Sequence, residues 1–123
     1  MKQYINNPQD SESSSQHINI RLAELNSQQW DRRKSESLAA NEDIIFGDEH
    51  WDVIQYLRGY YHENGLPRFA RTTARALNKQ FAELGGNKYL HRLFAGGPVT
   101  QGSRLANVRI PSNATDISFG TNY

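Results

Sequence analysis

Four histidines, a serine set among glycines and a proline, a pair of carboxylates and a row of basic side chains are the groups in this chain with chemistry to offer. Cysteine is absent from all 123 residues. That removes disulfides, thiolate nucleophiles, persulfide carriage, zinc–thiolate sites and cluster ligation in one stroke. The histidines do not replace them: His50 and His62 are twelve apart, His91 follows in another segment, and none has an i, i+4 partner that would put two ligands on one helix face. Glu49, His50 and Asp52 crowd a helix start, where carboxylates meet the positive end of the dipole, so capping accounts for them. Ser103 has no neighbouring histidine in a nucleophile motif, and Gly97-Pro98 is no phosphate loop. Neither a catalytic set, a metal nor a cofactor is expected, and the chain reads as a protein that is not an enzyme.

The basic residues carry a clearer pattern. Arg68, Arg71, Arg75 and Lys79 recur at three, four and four, which lines them up on the helix face opposite Phe69, Thr73 and Leu77. With Lys88 they are the candidate contacts for an anionic partner or a nucleic acid. Two helices joined by Gly85-Gly86-Asn87 also have the outline of a helix-turn-helix, which keeps a DNA-binding regulator as an alternative. The formal net charge is only +1, yet Met1 to Glu63 sums to −5 and Asn64 to Tyr123 to +6. Such a split serves an anionic partner, or the two halves attract each other within the fold.

These groups must be positioned by a single domain, since 123 residues suffice for one core that buries roughly two-thirds of the unfolded chain's surface. No apolar run reaches the roughly 18 residues of a membrane span, and residues 1–16 lack the apolar stretch of a secretory signal, so a cytoplasmic protein without membrane contact is expected. Residues 1–16, rich in Ser, Asn and Gln, read as a disordered tail. Ile18, Ile20 and Leu22 alternate with Asn19, Arg21 and Ala23, the period of a half-buried strand. Ser27 would cap a helix over residues 28–40. Trp51, Ile54, Leu57 and Tyr61 predict a helix begun by Gly47 or Asp48 and ended by Gly65 and Pro67. Helices over 69–84, 88–94 and 98–106 follow, the last opened by Pro98.

From Trp30 onward the chain resembles the DsrC/TusE/DsvC family of small sulfur-relay proteins, also labelled as gamma subunits of dissimilatory sulfite reductase. The residues that carry the likeness are Glu49-His50-Trp51-Asp52, Leu57-Arg58, Tyr60-Tyr61, Pro67, Arg71, Gly86-Asn87, Tyr89-Leu90, Leu93-Phe94 and Gly97-Pro98 with Gln101, over about three-quarters of the sequence. The resemblance implies an α+β, mainly α fold: a small N-terminal β meander packed on an array of about five helices, with a flexible C-terminal arm. Residues 17–107 would be the DsrC-like domain and 108–123 the arm. In the family, a penultimate cysteine of the arm accepts sulfur, and some members add an upstream cysteine in a Gly-Pro-x-x-Gln-x-Cys motif. Here Ser103 stands at the upstream position and Ala114 at the terminal one, and the chain runs on from Thr115 to Tyr123 beyond the usual family end.

A hydroxyl is a far weaker acid than a thiol and forms no stable persulfide, and alanine has no heteroatom. The first expectation is therefore a cysteine-free family member that acts as a non-catalytic binding or regulatory protein on a sulfite reductase-like or sulfurtransferase complex. The alternatives are DNA binding through the helix pair, and a family-level role in sulfur relay, sulfite reduction or tRNA thiolation exercised through partner docking.

Overall fold

The computed structural model describes residues 8–111. Six helices follow in chain order: α1 (Pro8–Ser27), α2 (Arg32–Asn41), α3 (Asp48–Asn64), α4 (Ala70–Gln80), α5 (Asn87–Leu93) and α6 (Pro98–Ala106), with a 3-10 turn at Ala82–Leu84. No strand occurs among the described residues, which overturns the expected β meander and with it the α+β assignment. The alternating segment that suggested a strand lies inside α1, where Ile20 is 63% exposed. The inward face of α1 is built instead from Arg21, Glu24 and Leu25, at helical spacing of three and four, with Gln28 just past its end. Only one of these is a buried hydrophobe; the others reach the body through hydrogen bonds. A hydrophobic period could not reveal a face whose contacts are polar. The first residues of the polar tail, 1–7, and the arm beyond 111 lie outside the described residues.

The helix expected over 28–40 begins later. Ser27 hydrogen-bonds back to the Glu24 carbonyl at the end of α1 (2.7 Å), the chain turns through Gln29 with φ of 50°, and Asp31 caps α2 by accepting from the Lys34 amide at 3.0 Å. The helix over 48–64 forms as its periodicity predicts. Gly47 is its N-cap, and Val53, Ile54, Leu57 and Tyr61 are buried along one face. The segment from 69 to 84 divides: Phe69 is the N-cap of α4 and 38% exposed, not part of a buried stripe, and Leu84 is exposed beyond the break at Phe81.

The centre of the molecule is the pairing of α3 with α6, flanked by α1 on α3 and by α2, α4 and α5 on α6. Leu77, Leu90, Phe94, Val99 and Leu105 close the core around them. Gly102 permits this approach, since a Cβ there would stand 2.9 Å from Leu57 Cδ1, closer than packed carbons tolerate.

Arg58, on the other flank of α3, ties the array together. Its guanidinium donates to the Ala106 carbonyl (2.6 Å), to Gln28 Oε1 (2.8 Å) and to the Leu25 carbonyl (3.3 Å). It lies over the Trp30 ring, 5.8–6 Å being the usual outer reach of such a contact and 5.9 Å the distance here. Two of its acceptors are last-turn carbonyls of α1 and α6, the negative ends of those helices. Ser35, fully buried, adds a second tie: its hydroxyl donates to the Leu105 carbonyl (2.7 Å) and accepts from the Trp30 indole (2.8 Å). Replacing Arg58 with methionine should cost about 2 kcal/mol, because the Ala106 carbonyl and the Gln28 amide oxygen lose this donor, and lower the thermal midpoint by about 10 °C. Arg58→Lys should recover only part of this. A midpoint unchanged in Arg58→Met by calorimetry would show that the clasp contributes nothing.

Candidate functional site

The segment Gly96-Gly97-Pro98 enters α6 on a left-handed glycine, Gly97 at φ of 104°, followed by proline at the first helical position. Gln101, one turn on and buried, bridges in two directions. Its carbonyl oxygen accepts from the Gly96 amide (3.0 Å), and its amide donates to Glu42 Oε1 (2.9 Å). Glu42 is the C-cap residue of α2. Arg104 grips the same carboxylate as a fork, Nε to Oε2 at 2.9 Å and Nη2 to Oε1 at 2.8 Å. The Arg104 fork, with help from Gln101, holds the Glu42 carboxyl down at about 2 against the burial that would raise it. Three residues separated by about 60 positions thereby lock the motif helix to the end of α2.

Ser103 is 2% exposed. It lines a pocket of about 20 Å³ together with Leu57, Tyr60, Tyr61, Pro67 and Thr73, and residues of the arm form part of the wall: Val108, Arg109 and Pro111. A space of that size holds about one water and no substrate. The arm is turned over the pocket by the end of α6. Asn107 adopts the left-handed conformation (φ 56°), its amide bonds to the Arg104 carbonyl (3.2 Å), and the Val108 amide bonds to the Ser103 carbonyl (3.1 Å). Those two bonds are the Schellman closure. The other family position, Ala114, lies outside the described residues.

The basic candidates do not meet Ser103 in one site. Arg68, Arg71, Arg75, Lys79 and Lys88 are all exposed, with Arg68 and Arg71 placing their guanidinium groups 5.5 and 5.0 Å from the Phe69 ring centroid. α4 and α5 are separated by six residues that include the 3-10 turn, longer than the three or four of a helix-turn-helix. His50 is structural: its Nδ1 accepts from the Gly47 amide (3.1 Å), so Nε2 carries the proton toward the Leu93 carbonyl (3.0 Å). Burial between Phe46 and Phe94 lowers its pKa and keeps the ring neutral. Among the described residues no three His, Cys, Asp or Glu side chains gather as a metal site, and no helix is long and apolar enough to cross a membrane.

The model of the family described as DsrC like protein matches residues 18–114. The chain belongs to the DsrC-like family. Relatives include the protein named sulfurtransferase TusE of Salmonella choleraesuis (strain SC-B67), 37% identical over 84 residues that cover 68% of this chain and 77% of that one. The sulfurtransferase TusE of Escherichia coli (strain K12) is 35% identical over 86 residues, 69% of this chain and 79% of its own. No solved structure matches the chain at a significant level. The relatives' name corrects the expectation of a protein that is not an enzyme, because these DsrC-like proteins are named for a transfer reaction.

The sequence reading missed the Glu42 fork, Arg58 and Ser35. Arg58 and Gln101 stood within the family string, but no local pattern pairs Glu42 with Arg104 across 62 residues. Glu42 ionises more readily folded than unfolded, so its contribution is complete above about pH 4.5 and is lost as the pH falls toward about 2. Glu42→Gln should cost about 1 kcal/mol at neutral pH, screening at the half-exposed Arg104 limiting the effect. It should also flatten the loss of stability between those pH values. Identical acid unfolding curves for the two proteins would refute the assignment. A Ser103→Cys variant should react with a thiol reagent at least about tenfold more slowly than a free cysteine, as expected of a thiol without solvent access. Reaction at the free rate would mean that the pocket stands open.

Proposed function

We propose that this DsrC-like chain takes part in a sulfur relay by docking on a partner that presents the sulfur on its own cysteine. Family membership and the TusE relatives support a place in sulfur transfer. The observation that carries the partner's role is the site itself. Gly97, Pro98 and Gln101 keep the residue types of the family motif, yet the residue at its upstream cysteine position is Ser103, and no cysteine occurs in the 123 residues. A serine hydroxyl cannot hold sulfane sulfur as a persulfide, so the sulfur atom stays on the partner while this chain supplies the shape against which it is presented. The arm residues Val108, Arg109 and Pro111, turned over Ser103, belong to that docking surface. A sulfurtransferase complex is favoured over a sulfite reductase as partner, because the relatives are named for the former.

The test mixes the full chain with a persulfide-loaded sulfurtransferase, follows association by analytical ultracentrifugation and reads both chains by intact mass. A complex should form, the rate of sulfur delivery to a downstream thiol should change, and the extra mass of about 32 Da should remain on the partner. Absence of a complex, or a gain of about 32 Da on this chain, would overturn the reading.

A further inference from the structure

Most of the described cations fall into two groups, with Lys34 bonded to the Gln28 and Gln29 carbonyls and Arg33 and Arg92 exposed singly on α2 and α5. Arg32, Arg104 and Arg109 have carboxylate partners, and Arg21 and Arg58 are spent on helix-end carbonyls. Arg68, Arg71, Arg75, Lys79 and Lys88 are exposed, and among the described residues no carboxylate lies within ion-pair distance of any of them. Three of the five, Arg71, Arg75 and Lys79, repeat every four residues on α4. They form a stripe about 12 Å long on the face away from the buried Ala70, Thr73 and Leu77. At its head is the half-exposed Phe69, flanked by the Arg68 and Arg71 guanidinium groups. Leu66, 41% exposed, stands nearby in sequence and lines the Ser103 pocket with Pro67 and Thr73. The stripe thus begins beside the candidate site.

We propose that the α4 face, with Phe69 as its apolar anchor, docks an acidic surface of a partner protein. Keeping three like charges in a row on α4, with Arg68 at its head, without a neutralising carboxylate costs folding energy through mutual repulsion, which an opposing acidic face relieves. Arginines bracketing an exposed aromatic ring are the residue types that dominate protein contact energetics. A nucleic acid is the weaker fit. The stripe ends after about two turns, Glu83 is exposed between Lys79 and Lys88, and the chain as a whole carries only +1. The proposal deepens the relay reading by giving the chemistry of the partner's surface, and it rests on that reading only for what the partner does.

The probe is a fluorescein-labelled peptide rich in Asp and Glu with a central leucine pair, titrated with the full chain by fluorescence anisotropy at low and at raised salt. A counterpart with Asn and Gln in place of the acids, and a single-stranded RNA of the same net charge, serve as comparisons. The acidic peptide should bind with an affinity that falls as salt rises, and the uncharged counterpart should not bind. The double variant Arg71→Glu, Arg75→Glu should weaken binding at least about tenfold, and Phe69→Ala should weaken it with the salt dependence unchanged. Both variants alter exposed side chains, and circular dichroism with thermal melting verifies their fold. Equal binding by the double variant, no binding of the acidic peptide, or tighter binding of the RNA would overturn the proposal. The persulfide-loaded sulfurtransferase separates the two readings. If its complex forms but ignores the double variant, the α4 surface fails and the relay stands. If no complex forms while the peptide binds through α4, the relay fails and the surface stands.

Discussion

The fold is organised around one half-buried positive charge that has no carboxylate for company among the described residues. Arg58 sits on the flank of the central helix α3, where burial pulls its pKa down, and its charge is met by carbonyls at the ends of α1 and α6 and by the Gln28 amide oxygen. Removing an ion from water is costly, so the position is tenable only while those helix ends converge on it. The convergence has structural consequences in both directions. It fixes α1, whose inward face has little apolar surface, and it fixes the last turn of α6, from which the arm departs. Arg21 repeats the device in miniature at the other end of α3, donating to the carbonyls of His62 (2.9 Å) and Glu63 (3.2 Å).

The same feature explains what the sequence disclosed and what it hid. α3 and α6 were legible because their buried faces are apolar at helical spacing and their ends are marked by Gly47, Gly65 and Pro98. α1 was not, because its attachment runs through Arg21, Glu24 and Gln28, and the apolar residues that do occur, Ile18, Ile20 and Leu22, imitate a strand while facing largely outward. A polar inward face has no signature until its partners are known, and those partners are 30 to 79 residues away in sequence. Of the candidate site, the Gly97-Pro98-Gln101 motif and Ser103 were legible through family resemblance alone. The Glu42 carboxylate was invisible, since nothing local distinguishes it from any other acidic helix end.

The α6 motif is held in place by contacts that do not involve residue 103. Gln101, Arg104 and Glu42 hold α6 through hydrogen bonds that involve no sulfur, so a serine at position 103 leaves the architecture of the motif intact. Its hydroxyl is smaller than a thiol and stays within the close packing of Leu57, Tyr61 and Thr73 around the pocket. Geometry and reactivity are separately encoded here: the former by residues that touch one another, the latter by a single atom at one position.

The turn at Asn107 separates two mechanical units. The body's last carbonyl, that of Ala106, is held by Arg58, whereas the path of the next residues is set by two main-chain bonds, by the contact from Gln28 to the Asn107 carbonyl (3.2 Å), by Val108 packed on the core and by the Arg109–Glu24 ion pair (3.9 Å). Asn107 itself is exposed. Lifting the segment beyond it would uncover not only the serine but also Leu57 and Tyr61 of α3, so the C-terminal strap serves as part of the outer wall of the core.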